Sequence, residues 1–239
     1  MNKEKILTKI NKSGFVILNN ILDKKIIKMA RSEYLKALDH LTIHPPIQKF
    51  IPSQLKKSPW RKLAIGSKNG SGDSYAQLLQ TTYFYQNDLN YPNLSKLFNE
   101  IVAIRNLLTN LPCDYGLNFN KDDFWNACRV HHYPQGGGHM AMHQDTLFPS
   151  LLKEFEIPFI QLMIPLSRRG IDFHSGGGYI IKNNKKYFFE TQYNIGSIII
   201  FDGSIFHGVD DIDLDKLINF GSKKGRIAIF VNLYKNDFK

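Results

Sequence analysis

Cysteine is scarce in this chain: of 239 residues, only Cys113 and Cys128 are cysteines. Two thiols allow at most one disulfide. The simpler reading is a cytoplasmic protein with both thiols reduced. No apolar run approaches the roughly 20 residues of a membrane-spanning helix, so no membrane partner is expected. The opening MNKEKILTKINKSG interleaves charge with apolar residues. It lacks the continuous apolar stretch of a secretory signal. No internal repeat and no low-complexity tract interrupts the chain, which excludes solenoid and biased-composition classes. Arginine is also scarce, with 7 against 24 lysines.

What is present is a composition that is 43% hydrophobic, enough for one sizeable core. A single domain over 1–239 is expected, with a helical and irregular lead-in over 1–123 and a β-core over 124–239. The formal net charge is +10, and it is uneven. Residues 1–70 hold 15 Lys and Arg against 4 Asp and Glu, whereas the rest hold 16 against 17. A basic surface can serve an anionic substrate or a nucleic acid. Thirteen of those 15 cations are lysines, which fits a solvated face better than a phosphate-reading one.

Residues 3–12 and 22–40 read as amphipathic helices; Ile26, Ala30, Tyr34 and Leu38 recur every four residues in the second. GFVILNN between them reads as a short strand. Residues 41–75 carry Pro45, Pro46, Pro52, Pro59 and SKNGSGDS, and read as irregular. A further helix spans 93–110, with Asn93 or Ser95 as its cap. From 124 onward, short apolar runs alternate with turn residues: WNACRVHHYP, HMAMHQ, PFIQLMIPL, GGYIIK, KKYFFETQY, GSIIIFDG, FHGVDDI and RIAIFVNLY. Such spacing predicts an antiparallel sandwich or barrel, with the helices preceding it.

The densest chemistry lies in HHYPQGGGHMAMHQD, residues 131–145. In an extended segment alternate side chains share a face, so His143 and Asp145 point the same way. His207, just beyond GSIIIFDG, is the best third partner. Two histidines and a carboxylate on one face of a metal leave positions open for substrate. This is the donor set of the non-haem Fe(II) facial triad, although His and Asp also serve Zn²⁺. His-x-Asp alone is a weak signal. Followed by short strands, His-Gly-Val and a strand opening on a basic residue, it becomes a strong one.

Over roughly residues 124–234 these motifs resemble the Fe(II)- and 2-oxoglutarate-dependent oxygenases. The resemblance implies an α+β fold with a double-stranded β-helix (jelly-roll) core and the N-terminal helices packed on it. It implies Fe(II), 2-oxoglutarate and O₂ as cofactor and co-substrates, with His143, Asp145 and His207 as metal ligands. Arg226, opening RIAIFVNLY, matches the arginine that pairs with the far carboxylate of 2-oxoglutarate. Lys216 lies nearer the family's usual spacing from the distal histidine, but it sits among acids rather than at a strand start. Ala228 stands where many relatives carry a hydroxyl. The lead-in HHYPQGGG resembles that of the AlkB-like branch, which gives Tyr133 and His131 the co-substrate roles.

The three glycines 136–138 are read as a tight turn after Pro134. His132 points opposite His131 and reads as a surface or core polar residue; His139 belongs to the turn. Gly176–Gly178 read as a hairpin turn. Arg168, Arg169 and His174 on the same loop are candidates for reading an anionic substrate. Gln161, a lone polar residue in FIQLMIPL, is a candidate to line the pocket. Trp125 and Phe206 read as core aromatics. The expected substrate is a small polar or anionic metabolite. The alternatives are oxidative demethylation of nucleic-acid bases and a non-catalytic metal-binding barrel.

Overall fold

The computed structural model describes residues 2–45, 48–68, 74–118 and 122–236. Its elements are α1 (Lys3–Ser13), β1 (Phe15–Leu18), α2 (Lys24–Ala37), β2 (Ile43–His44), a 3₁₀ turn (Pro52–Lys56), β3 (Trp60–Lys68), β4 (Ser74–Phe84) and α3 (Pro92–Thr109). Then come β5 (Phe124–Pro134), β6 (Gly138–His143), α4 (Leu147–Lys153), β7 (Gln161–Pro165), β8 (Gly177–Lys182), β9 (Lys185–Phe188), β10 (Ile198–Phe201), β11 (His207–Ile212) and β12 (Gly225–Lys235). Every apolar run noted beyond residue 124 forms a strand. Both cysteines are free thiols, Cys128 buried and Cys113 exposed.

The strands follow the order β1-β10-β7-β12-β5-β4-β6-β11-β8-β9, with β3 on the outer side of β4. Strands β5, β7, β10 and β12 therefore make one half of a curled sheet. Strands β6, β8, β9 and β11 make the other, and the chain alternates between halves. This is the double-stranded β-helix, a jelly roll. The long pair β5–β12 runs in unbroken register from Gly225 opposite Pro134 to Lys235 opposite Phe124.

Period-2 alternation gives the first half its two faces. Cys128, Val130, Leu162, Ile164, Ile198, Ile200, Ile227, Ile229 and Val231 point one way and pack with Ile27, Ala30, Tyr34, Leu97, Phe98 and Ile101 from α2 and α3. Arg129, His131, Tyr133, Gln161, Met163, Arg226, Phe230 and Asn232 point the other way, into a cavity. Because both faces are covered, β5 is buried along all eleven residues.

The stretch expected to be irregular differs from that reading. β3 and β4 form an antiparallel hairpin, and β4 pairs with both β5 and β6. The strand signal was masked because the inward positions of this hairpin include Lys62, Gln77 and Thr81, which line the cavity and are polar. Strands thus lie on both sides of residue 124. The middle of the SKNGSGDS loop, residues 69–73, lies outside the described residues.

Helix α3 also differs in its cap. Neither Asn93 nor Ser95 caps it; Pro92 occupies its first turn. A carboxylate from α2 caps it instead. Glu33 accepts from the backbone N–H of Asn93 at 3.1 Å and of Leu94 at 2.9 Å. This satisfies orphan donors and places negative charge at the positive helix end. Glu33→Ala is expected to cost about 1 kcal/mol, in line with other cap deletions. The measurement is a urea unfolding midpoint, and Glu33→Gln should lose less because an acceptor remains.

Candidate metal centre and its cavity

The turn between β5 and β6 starts the site. Gly136 and Gly137 take φ of 85° and 103°, the left-handed region, so the chain reverses tightly after Pro134. β6 then returns alongside β11, with His143 directly opposite His207. Asp145 follows two residues later. The ligand-capable atoms of His143, Asp145 and His207 lie within 4.8 Å of one another, and all three residues are buried.

The histidine tautomers are set by the backbone. His143 Nδ1 donates to the Ala141 carbonyl and His207 Nδ1 to that of Ile205, each at 2.9 Å. Each Nε2 lone pair is then directed at the centre, as metal-ligating histidines require. The Nε2 atoms stand 3.8 Å and 3.6 Å from the two Asp145 oxygens. Burial, then the neighbouring His207, pushes His143 down to about 4, while its backbone bond opposes this. The ring is neutral at physiological pH, the form a metal needs. Tyr75 stacks on it with ring centroids 3.9 Å apart.

Asp145 is held from two sides. Its N–H donates to the Gly203 carbonyl at 3.0 Å. Gln161 donates to its Oδ2. Asn232 donates to Gln161 Oε1 at 3.0 Å, and Arg129 donates to Asn232 Oδ1 at 2.6 Å. A buried relay therefore runs from the Arg129 guanidinium to the central carboxylate. Its register follows from sequence alternation: Asn232 and Gln161 are inward positions of β12 and β7.

A cavity of about 230 Å³ opens beside this centre. At one end lie Tyr133 and Arg226, with the Arg226 guanidinium carbon 5.3 Å from the Tyr133 ring centre. Arg226 is buried, and its Nε donates to Glu190 at 2.5 Å. Burial alone would lower its pKa; Glu190, then Tyr133 and Tyr193, more than offset this and raise it. Arg226 Nη1 has no partner. Burial lifts Tyr133 to about 12, so its hydroxyl keeps its proton. His131 lines the same wall with neither ring nitrogen partnered. Burial, then Arg129, Arg226 and Lys62, holds its pKa well below normal.

Other expected site residues fall elsewhere. Arg168, Arg169 and His174 are exposed on the β7–β8 connection and do not line the cavity. Arg169 Nε instead donates to the His174 carbonyl at 3.1 Å, and the His174 N–H donates to Asp213 at 2.7 Å. Lys216 is exposed and pairs with Asp215. His132 is buried on the helix-facing side, with Nε2 2.9 Å from the Lys224 carbonyl. His139 lies in β6 rather than in the turn, paired with Leu78 of β4, and its Nδ1 is 2.8 Å from the Gly137 carbonyl. Trp125 is buried, whereas Phe206 is 44% exposed rather than in the core. Gly177 and Gly178 open β8 rather than forming a hairpin turn. A Cβ on Gly178 would come 2.5 Å from Arg226 Nη2, so close approach explains the glycine. Sequence reasoning missed Glu190, Lys62 and the inward face of β4. A buried guanidinium needs acceptors, but amides serve Arg61, Arg105 and Arg129 where Glu190 serves Arg226, so no local signal pointed to Glu190.

Among solved structures, the chain is similar to a prolyl hydroxylase from Trichoplax adhaerens, in complex with a hypoxia-inducible-factor oxygen-degradation-domain peptide fragment. The TM-score is 0.60 at 13% identity, over 98% of this chain and 89% of that one. A Pseudomonas putida prolyl-4-hydroxylase matches with TM-score 0.57 at 10% identity, over 98% and 99%. A non-haem alpha-ketoglutarate-dependent epimerase from nogalamycin biosynthesis matches with TM-score 0.50 at 10% identity, over 98% and 82%. No known protein-family profile and no curated protein matches the sequence. The chain thus has the jelly-roll fold of these enzymes. Hydroxylases and an epimerase share it, so fold alone does not fix the reaction.

Two outcomes follow from this geometry. A Cβ on Gly203 would fall 2.5 Å from the Phe159 ring and 2.9 Å from Asp145 Oδ2. Gly203→Ala is expected to weaken divalent-metal binding by about tenfold or more, as loss of outer-shell support does, read by equilibrium dialysis. The second concerns pH. Burial lowers His132 and His143 from 6.5 to about 4 in the folded chain. Between those values the unfolded chain binds more protons, so stability is full above 6.5 and falls as pH drops toward 4. The thermal midpoint of metal-free protein should be flat above pH 7 and decline across that window. A midpoint unchanged down to pH 4.5 contradicts it.

Proposed function

We propose that this protein is an Fe(II)- and 2-oxoglutarate-dependent oxygenase acting on a small-molecule substrate. The observation that carries this is the convergence of two backbone-oriented Nε2 lone pairs and one carboxylate on the wall of a cation-lined cavity. This donor set, without thiolates, suits Fe(II) and leaves coordination positions open. When bound, the metal and 2-oxoglutarate would together supply the oxidising power for dioxygen-dependent oxidation of a substrate bond, with succinate and CO₂ as co-products.

The chain's own residues do the rest. His143, Asp145 and His207 hold the ion. Gln161 keeps one Asp145 oxygen hydrogen-bonded, so the carboxylate keeps its orientation. Arg226 offers Nη1, and Tyr133 its protonated hydroxyl, to the far carboxylate of 2-oxoglutarate. Glu190 balances the Arg226 charge while leaving that nitrogen available. His131, neutral, presents a ring nitrogen to the same end.

Nucleic acid is the less favoured substrate, because the N-terminal charge is carried by lysines. Binding to DNA or RNA should be micromolar or weaker at physiological salt.

Anaerobic addition of Fe(II) and 2-oxoglutarate should give a weak visible charge-transfer band, and admission of air should release succinate. Tight Zn²⁺ binding without the band would favour a zinc protein. Arg226→Gln should weaken 2-oxoglutarate binding about tenfold or more, since a charged hydrogen bond is worth ~1.5–3 kcal/mol. Lys216→Gln should leave it unchanged; the reverse pattern would move the co-substrate site to the 213–219 loop.

A further inference from the structure

The cavity carries more positive charge than the co-substrate end uses. Lys62 on β3 and Arg129 on β5 also line it. They lie on the same inward face: Lys62 is opposite Thr81 of β4, and Arg129 opposite Tyr83. Tyr83 and Tyr234 join them into one cluster. The Lys62 Nζ stands 6.0 Å from the Tyr83 ring centre, and the Arg129 guanidinium carbon 5.1 Å from that of Tyr234. The two tyrosine rings are 6.4 Å apart. Along β5, Arg129 sits four residues from Tyr133, about 13 Å at ordinary strand rise. The cluster is therefore distinct from the Arg226 end.

Neither cation is neutralised. Among the described residues no carboxylate forms an ion pair with Lys62 or Arg129, although the Asp145 charge reaches Arg129. Arg129 gives its two terminal nitrogens to Tyr234 and Asn232, but its Nε is buried and has no partner. Burial, and in smaller part Arg129, lowers the Lys62 pKa. Two like charges side by side in a desolvated pocket are costly, and an anion between them would remove the cost. The charge count agrees. Lys62, Arg129 and Arg226 stand against Asp145 and Glu190, which leaves one positive charge over. A divalent metal and a dicarboxylate cancel each other and do not alter that remainder.

We infer that Lys62 and Arg129 form an anion subsite at the far end of the cavity, and that the substrate is a small organic acid whose carboxylate docks there. Tyr83 and Tyr234 flank the docked group, and its carbon skeleton extends toward His143 and Asp145. The inference rests on the oxygenase reading for the word substrate; the subsite itself does not. It replaces the exposed Arg168 and Arg169 as the origin of anion selectivity.

The test is a ¹⁹F NMR titration of trifluoroacetate and 4-fluorobenzoate into protein carrying Mn(II), a redox-inert stand-in, with and without 2-oxoglutarate. Two probe sizes guard against simple exclusion. Wild type should bind at least one of them saturably with 2-oxoglutarate present, and should not bind neutral 4-fluorobenzamide. Lys62→Met, which keeps the aliphatic stem, should weaken that binding at least tenfold and leave 2-oxoglutarate affinity within twofold. Arg129→Lys, which keeps the charge but loses the fork, should weaken it as well. No saturable binding of either carboxylate overturns the subsite. So does binding that Lys62→Met leaves intact and 2-oxoglutarate displaces, because the probe is then at the Arg226 end. If Lys62-dependent binding persists while 2-oxoglutarate fails to bind, the subsite stands and the oxygenase reading falls.

Discussion

The antiparallel pairing of β6 with β11 is the constraint on which the site depends. It sets His143 opposite His207 across two neighbouring strands, and Asp145 then needs only two more residues to reach the same point. Strand side chains alternate faces, so a slip of one residue in this ladder would turn one histidine away from the centre. The register is guarded on both sides. Gly136 and Gly137 fix the turn that launches β6, and their N–H groups donate to the carbonyls of Asp213 and Ile212 at 3.1 Å and 2.9 Å. The glycine-rich start of β8 lets that strand press against β11, where a Cβ on Gly176 would fall 2.1 Å from the Asp211 carbonyl oxygen.

Burying this much charge requires partners, and the structure supplies some of them. Arg226 has Glu190, and Arg129 has Asn232 and Tyr234. Yet Gln77, Arg129, His131 and Arg226, all lining the cavity, each keep a buried nitrogen without a partner. Unsatisfied polar atoms are rare in folded proteins. Others lie elsewhere in the fold, on Trp60, Arg105 and His132 among them, but these four share one cavity, where a ligand can reach them. The relay from Arg129 to Asp145 links the two ends of this arrangement, so an anion near Arg129 and a cation near Asp145 would act on one hydrogen-bonded chain.

Much of the architecture was legible because apolar positions report burial. The alternation in WNACRVHHYP and RIAIFVNLY carried the central pair, and the spacing of His143, Asp145 and His207 carried the centre. The hairpin β3–β4 escaped because its inward face meets a polar cavity, so Lys62, Gln77 and Thr81 broke the expected pattern. Glu33 as the cap of α3, and Glu190 as the partner of Arg226, could not be read locally, since each acts across a large sequence separation. Arg168 and Arg169 misled for the opposite reason. Two adjacent arginines look like a charged mouth, but the β7–β8 connection holds them in solvent, and its Asp172 carboxylate is used by Arg31 and by the Arg168 backbone N–H.

The central claim is that the triad holds one divalent ion. An anaerobic calorimetric titration of metal-free protein with Fe(II) tests it most directly. One ion per chain should bind to wild type, and Asp145→Ala, with its fold checked by circular dichroism, should lose that binding. Equal stoichiometry and affinity in the two proteins would contradict the account.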